Sequence, residues 1–117
     1  MEESILLTIK KMLGIEDPSY EVYDQDLIVY INSVFMLLNQ LGIGPDKCFR
    51  ITGLNENWSD FVDSEDYEAV KEVIYLRTKL VFDPPTNSFV TEALKKQCDE
   101  YEWRLLVQAE WRKNNSE

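Results

Sequence analysis

No histidine occurs among the 117 residues. That removes Ser-His-Asp and Cys-His nucleophilic catalysis, imidazole proton shuttling and histidine metal ligation together. The groups left with chemistry to offer are 22 carboxylates, 12 Lys and Arg side chains, and two thiols. Carboxylates do general acid–base work when an apolar setting pushes the pKa values of a pair apart. No pair stands in such a setting here, and so many acidic residues fall near one another without a role. Cys48 and Cys98 are too few for a disulfide framework and read as two reduced, partly buried thiols. Gly42-Ile43-Gly44-Pro45 is a turn that lacks the Gly-Lys-Ser/Thr completing a phosphate cradle. No dinucleotide fingerprint, zinc-protease helix or calcium loop occurs either. The sequence is expected to encode no enzyme and to hold no cofactor or metal.

Charge narrows the partners. The formal net charge is -10, and both halves of the chain are acidic. Binding that neutralises phosphates needs a clustered basic face, and none is visible. No apolar run approaches the roughly 20 residues of a membrane-spanning helix, and Met1-Glu2-Glu3-Ser4 is too acidic for a secretory signal. The length fits one domain with a core of its own. A globular, cytoplasmic, soluble chain is the expectation.

The elements that position these residues are helical. Ile5, Leu6, Ile9, Met12 and Leu13 recur at helical spacing up to Gly14, predicting a first helix over about 3–13. Asp17-Pro18-Ser19 is a turn. Asp24 is a candidate N-cap for a second helix ending at Gly42, with Leu27, Ile31, Val34, Phe35, Leu38 and Leu41 on one face. Residues 43–63 form a long irregular loop, with Cys48 to Thr52 as a short extended stretch. Loops of this length are often functional. Phe49, Ile51, Trp58 and Phe61 either tuck back as a lid on the core or, for Phe49, Trp58 and Phe61, face a partner.

Asp63 or Ser64 is the candidate cap of a third helix, about 65–82. Its broad apolar arc holds Val70, Val73, Ile74, Leu76, Leu80 and Val81, and Arg77 sits within that arc. A guanidinium so placed must meet a carboxylate; it either snorkels along its stem or forms an intersubunit ion pair. Asp83-Pro84-Pro85 ends the helix, and Thr86, Asn87 and Ser88 offer caps for a fourth over about 88–112, making an αα-hairpin. The architecture is therefore all-α: a single domain, 1–112, of about four helices, with residues 113–117 as a short polar tail expected to be disordered.

The fourth helix has two apolar faces. Val90, Leu94, Cys98, Tyr101, Leu105 and Ala109 share one side, its core face. Trp103, Val107 and Trp111 also repeat every four residues, about 100° to 175° away from that face. Either the first helix or the long loop covers this second stripe, or another copy of the chain does. Tryptophan is enriched in interface cores and energetic hot spots, which favours the second reading.

Tyr75-Leu76-Arg77-Thr78-Lys79-Leu80-Val81-Phe82-Asp83-Pro84-Pro85, followed by Ser88-Phe89 and Glu102-Trp103-Arg104-Leu105, resembles the tailed-phage head–tail connector (head-completion) proteins. The likeness is to the branch found in phages and prophages of low-GC Gram-positive hosts. Phe49-Arg50-Ile51-Thr52-Gly53 and Trp58-Ser59-Asp60-Phe61 resemble its middle segment. The resemblance implies a small helical bundle that forms a ring beneath the portal, extends the DNA channel, helps retain the packaged genome and presents a platform for the tail or its stopper. It implies self, portal and tail contacts, DNA that passes without sequence-specific binding, and a place in the virion after assembly in the host cytoplasm. It carries over no catalytic residues. The short end at Lys113 to Glu117 departs from the extended C-terminal arm common in that family. Such an assembly component acts through shape and repeated contacts. The rival reading is a small acidic regulator, such as a DNA mimic in the basic cleft of another protein. A mimic concentrates its carboxylates in one strip, whereas here they are spread over every segment.

Overall fold

The structure is a computed structural model and describes residues 3–17 and 19–115. The first helix, α1 (Ile5–Met12), opens at Ser4, whose hydroxyl accepts a hydrogen bond from the Leu7 N–H. Ile5, Leu6 and Ile9 are buried, as the spacing predicts, with Met12 and Leu13 packed at the margin. The second helix, α2 (Asp24–Gln40), buries Leu27, Ile31, Val34, Phe35 and Leu38, and Leu41 is packed against the same core. Beyond Leu41 the chain turns at Gly42, whose φ of +80° suits the left-handed close of a helix. The Ile43 N–H then reaches back to the Leu38 carbonyl at 2.9 Å.

Asp24 does not cap α2. It stands inside the first turn, behind Tyr23, because Lys10 of α1 has recruited its carboxylate at 2.8 Å. The Lys10 ammonium also donates to the Tyr20 carbonyl at 2.8 Å, and the whole side chain is 1% exposed. A charge so enclosed is tolerable only when paired and hydrogen-bonded, so this contact clamps α1 to the start of α2. Asp17 accepts hydrogen bonds from the Ser19 N–H and hydroxyl, as a turn there requires; Pro18 lies outside the described residues.

The loop from 43 to 63 is irregular except for one 3₁₀ turn, Trp58–Asp60. Two kinds of contact fix it. Asn32 of α2 accepts from the Ile51 N–H at 2.8 Å and donates to the Ile51 carbonyl at 2.9 Å. The side-chain amide thereby does what a neighbouring strand does in a sheet, and the stretch predicted as extended needs no ladder. At the other end, the Ile5 N–H donates to Glu56 and the Trp58 N–H to Glu3. The Trp58 indole N–H donates to the Thr8 hydroxyl at 3.0 Å, and that hydroxyl donates to the Ser4 carbonyl at 2.8 Å. Gly44, at φ +91°, lies so close to Phe61 that a Cβ there would stand 2.5 Å from the ring. The loop is a lid on the core.

The third helix, α3 (Tyr67–Phe82), starts two residues later than predicted, after Asp66 rather than with Asp63 or Ser64 as a side-chain cap. Its Val70, Val73, Ile74 and Leu76 are buried, Leu80 is half-buried and Val81 is exposed. After Asp83-Pro84-Pro85 the fourth helix, α4 (Ser88–Asn115), begins with the Asn87 side chain accepting from the Phe89 and Val90 N–H groups. Twenty-eight residues at 1.5 Å each make it about 42 Å long. It runs past the predicted end and takes Lys113 to Asn115 into the helix; residues 116–117 of the expected tail lie outside the described residues. α3 packs on both α2 and α4, so the three long helices form a layer with α3 in the middle.

Candidate functional site

Cys98 and Leu105 are the two described α4 residues fully buried, with Leu94, Tyr101 and Ala109 packed beside them. Val90, predicted on this core face, is exposed, because residues 86–90 all lie beyond the covered part of the bundle. Between α3 and α4, Arg77 makes a bidentate pair with Glu102, at 2.7 and 2.9 Å. The predicted carboxylate partner of Arg77 thus comes from its own chain rather than from a neighbouring subunit. Burial would raise the Glu102 carboxyl, but hydrogen bonds from Arg77 and Cys98 and the guanidinium charge outweigh it and hold the group low. A folded value below the unfolded one means that the pair stabilises the hairpin above the carboxylate range. That contribution is lost as pH falls through the lowered value.

The remaining predicted residues fall into two groups. Trp58 is wholly enclosed and its ring lies edge-on to Tyr67, with centroids 5.7 Å apart. Phe61 is buried against Phe35, and Phe49, half-buried, completes this aromatic trio with centroids 4.6 to 5.4 Å apart. Their apolar area covers the core, so the partner-facing alternative for Trp58 and Phe61 is not what the fold adopts. Trp103 and Trp111, by contrast, are 62% and 61% exposed, with Val107 between them at 42%. Neither α1 nor the loop reaches them. At 1.5 Å per residue the two indoles stand about 12 Å apart along the helix.

The last turns of α4, and with them Trp111, are held in place by Arg112. Its guanidinium bonds Asp66 at the start of α3 and reaches Glu65 at 3.1 Å. The cation lies near the negative end of one helix dipole and the carboxylates near the positive end of another. This clasp also explains why Asp66 is not a side-chain cap. Periodicity alone did not single out Phe89, at 85% the most exposed large apolar side chain among the described residues, nor Val29 and Met36 on the outer side of α2. One signal was available: from Leu27 to Pro45 the sequence carries no charged residue at all.

None of these groups is set up for bond-making. Burial first, and the carboxylate of Glu102 second, push the Cys98 thiol up to about 12. It is a protonated hydrogen-bond donor, not a nucleophile. Cys48 is exposed. A thiol reagent at neutral pH is expected to label Cys48 promptly and Cys98 only when the chain unfolds. Mass spectrometry of a time course reads this directly; equal rates would mean that the α3–α4 contact opens freely. Among the described residues no group of three His, Cys, Asp or Glu side chains could hold a metal ion, and no helix is long and apolar enough to cross a membrane.

The helical layer is clamped by Lys10 at one end and Arg112 at the other, and it leaves an apolar stripe exposed on α4. The chain belongs to the phage connector protein family, whose model matches residues 5–112, from the first turn of α1 to the Arg112 clasp. No curated protein and no solved structure matches it. Membership makes the chain a phage structural connector and a virion component that works together with other head and tail proteins. The family is structural in character rather than enzymatic.

Proposed function

We propose that the chain is a non-enzymatic adaptor that assembles into a ring between portal and tail, extends the DNA channel and helps retain the packaged genome. Its partners are further copies of itself, the portal, and a tail or stopper protein. The branch of phages and prophages of low-GC Gram-positive hosts is the proposed setting. One observation carries the reading: a fully formed bundle leaves Trp103, Val107 and Trp111 in water on one face of its longest helix. Exposed apolar patches on a protein with a complete core mark contact sites. The net charge of -10 supports passage of DNA without capture, since like charges repel along a channel wall.

The experiment adds the purified chain to portal-bearing heads that lack it and images the vertex. The wild-type chain is expected to add a ring of density beneath the portal. Trp111→Glu is expected to abolish that ring while shifting the melting temperature by no more than about 2 °C, as substitutions at exposed positions do. Losing a hot-spot tryptophan weakens a contact by about 30-fold or more. An unchanged ring, or a collapse in stability without loss of assembly, would sink the reading. Salt-sensitive capture of a basic protein in place of vertex binding would support the acidic-mimic alternative.

A further inference from the structure

The outer side of α2 is the second uncovered surface of the molecule. Val29 and Met36 are 64% and 53% exposed, Ser33 lies exposed between them, and no charge interrupts residues 27–45 in a chain that is 29% charged. Charged residues are depleted, and Met enriched, in the cores of interfaces rather than on free surfaces. Where α2 meets α3 this face deepens into a groove of about 310 Å³, lined by Tyr30, Ser33, Leu37, Arg77, Leu80 and Val81. That volume is at the bottom of the range of ligand pockets and suits one large side chain.

We infer that this groove receives the indole stripe of a second copy: Trp111 of one chain, with Trp103 and Val107 beside it, lies across α2 and α3 of the next. This rests on the reading of the chain as self-assembling and names the two surfaces that meet. Two observations favour a copy of the chain as the occupant. α3 packs on both α2 and α4, so the projecting stripe lies on one outer helix and the concave face between the middle helix and the other outer one. Unlike faces on one chain make a head-to-tail contact, which repeats from copy to copy and closes into a ring when the rotation allows. Arg77 is the one charged side chain lining the groove. Glu102 engages the edge of the Arg77 guanidinium, and 39% of that side chain is exposed, leaving a face on which an indole stacks. Finally, the area is right. An indole buries about 150–250 Å², so two of them with Val107 supply less than the roughly 800 Å² per partner of a stable pair. One contact is weak in dilute solution, and a ring gives every copy two.

Two variants test it: Trp111→Glu, which spoils the projecting face, and Ser33→Glu with Val81→Glu, which spoils the groove at exposed positions. By sedimentation at millimolar concentration, the wild type is expected to form large assemblies and each variant alone to associate at least about 30-fold more weakly. An equal mixture is expected to form dimers and nothing larger, because each variant supplies the face the other lacks. Independently, in a Cys48→Ser background, Ser33→Cys on one chain is expected to form a disulfide with Val107→Cys on another, and neither with its own kind. A groove variant that assembles like the wild type, or Val107→Cys chains that cross-link only to each other, would overturn the inference while leaving self-assembly standing. A wild-type chain that stays monomeric at every concentration and forms no ring on heads would overturn both.

Discussion

Trp58→Ala is expected to lower stability by about 4 kcal/mol, the usual cost of deleting a fully buried large aromatic. For a domain of this size that lowers the melting temperature by on the order of 15 °C. The indole fills the space between α1, α3 and the loop, and its N–H is bonded to Thr8. Removing it leaves a cavity, orphans the Thr8 hydroxyl as an acceptor and frees the loop where it is stapled to α1. Trp58→Phe keeps most of the volume and loses the N–H, and should cost about 2 kcal/mol. Thermal unfolding followed by circular dichroism separates the two. If Trp58→Ala melts with the wild type, the loop does not close the core, and its aromatics are free for a partner after all.

Lys10→Met is expected to cost about 3 kcal/mol, although methionine packs well and is apolar. The loss arises because Asp24, 17% exposed, then keeps a charge with no cation beside it, and the Tyr20 carbonyl loses a donor. Adding Asp24→Asn to Lys10→Met should therefore recover at least half of the loss, a gain that no account based on packing volume provides. Urea unfolding of the two single variants, the double variant and the wild type closes the cycle. A Lys10→Met chain as stable as the wild type would show that the clamp between α1 and α2 rests on its apolar contacts alone.

What was legible in the sequence follows a physical line. The buried face of α2 was readable because a period of 3.6 residues is a local property, and five predicted positions are enclosed. The hairpin of α3 and α4 was readable because consecutive prolines cannot continue a helix. The exposed indole stripe was readable by the same arithmetic, as an apolar row out of phase with the core face. The caps were readable only in part. Asn87 caps α4 as its type suggests. Asp24, by contrast, is taken by Lys10 of α1, and α3 begins after Asp66, held by Arg112, instead of at Asp63 or Ser64. The loop was half-readable: its turn residues marked where it lies, whereas its shape depends on Asn32 bonding 19 residues away and Trp58 bonding 50 residues away. The outward placement of Val90 was hidden for a related reason. Periodicity tells which side of a helix faces inward, not where the neighbouring helix stops.

The uncharged run from Leu27 to Pro45 also sets how such a contact responds to its surroundings. Dissolved ions weaken attractions between charges by gathering around them, and on this face they find little to gather around. Salting-out ions such as sulfate strengthen apolar contacts instead. A particle joined through these surfaces keeps its grip when it leaves a crowded cell for brine or for rainwater.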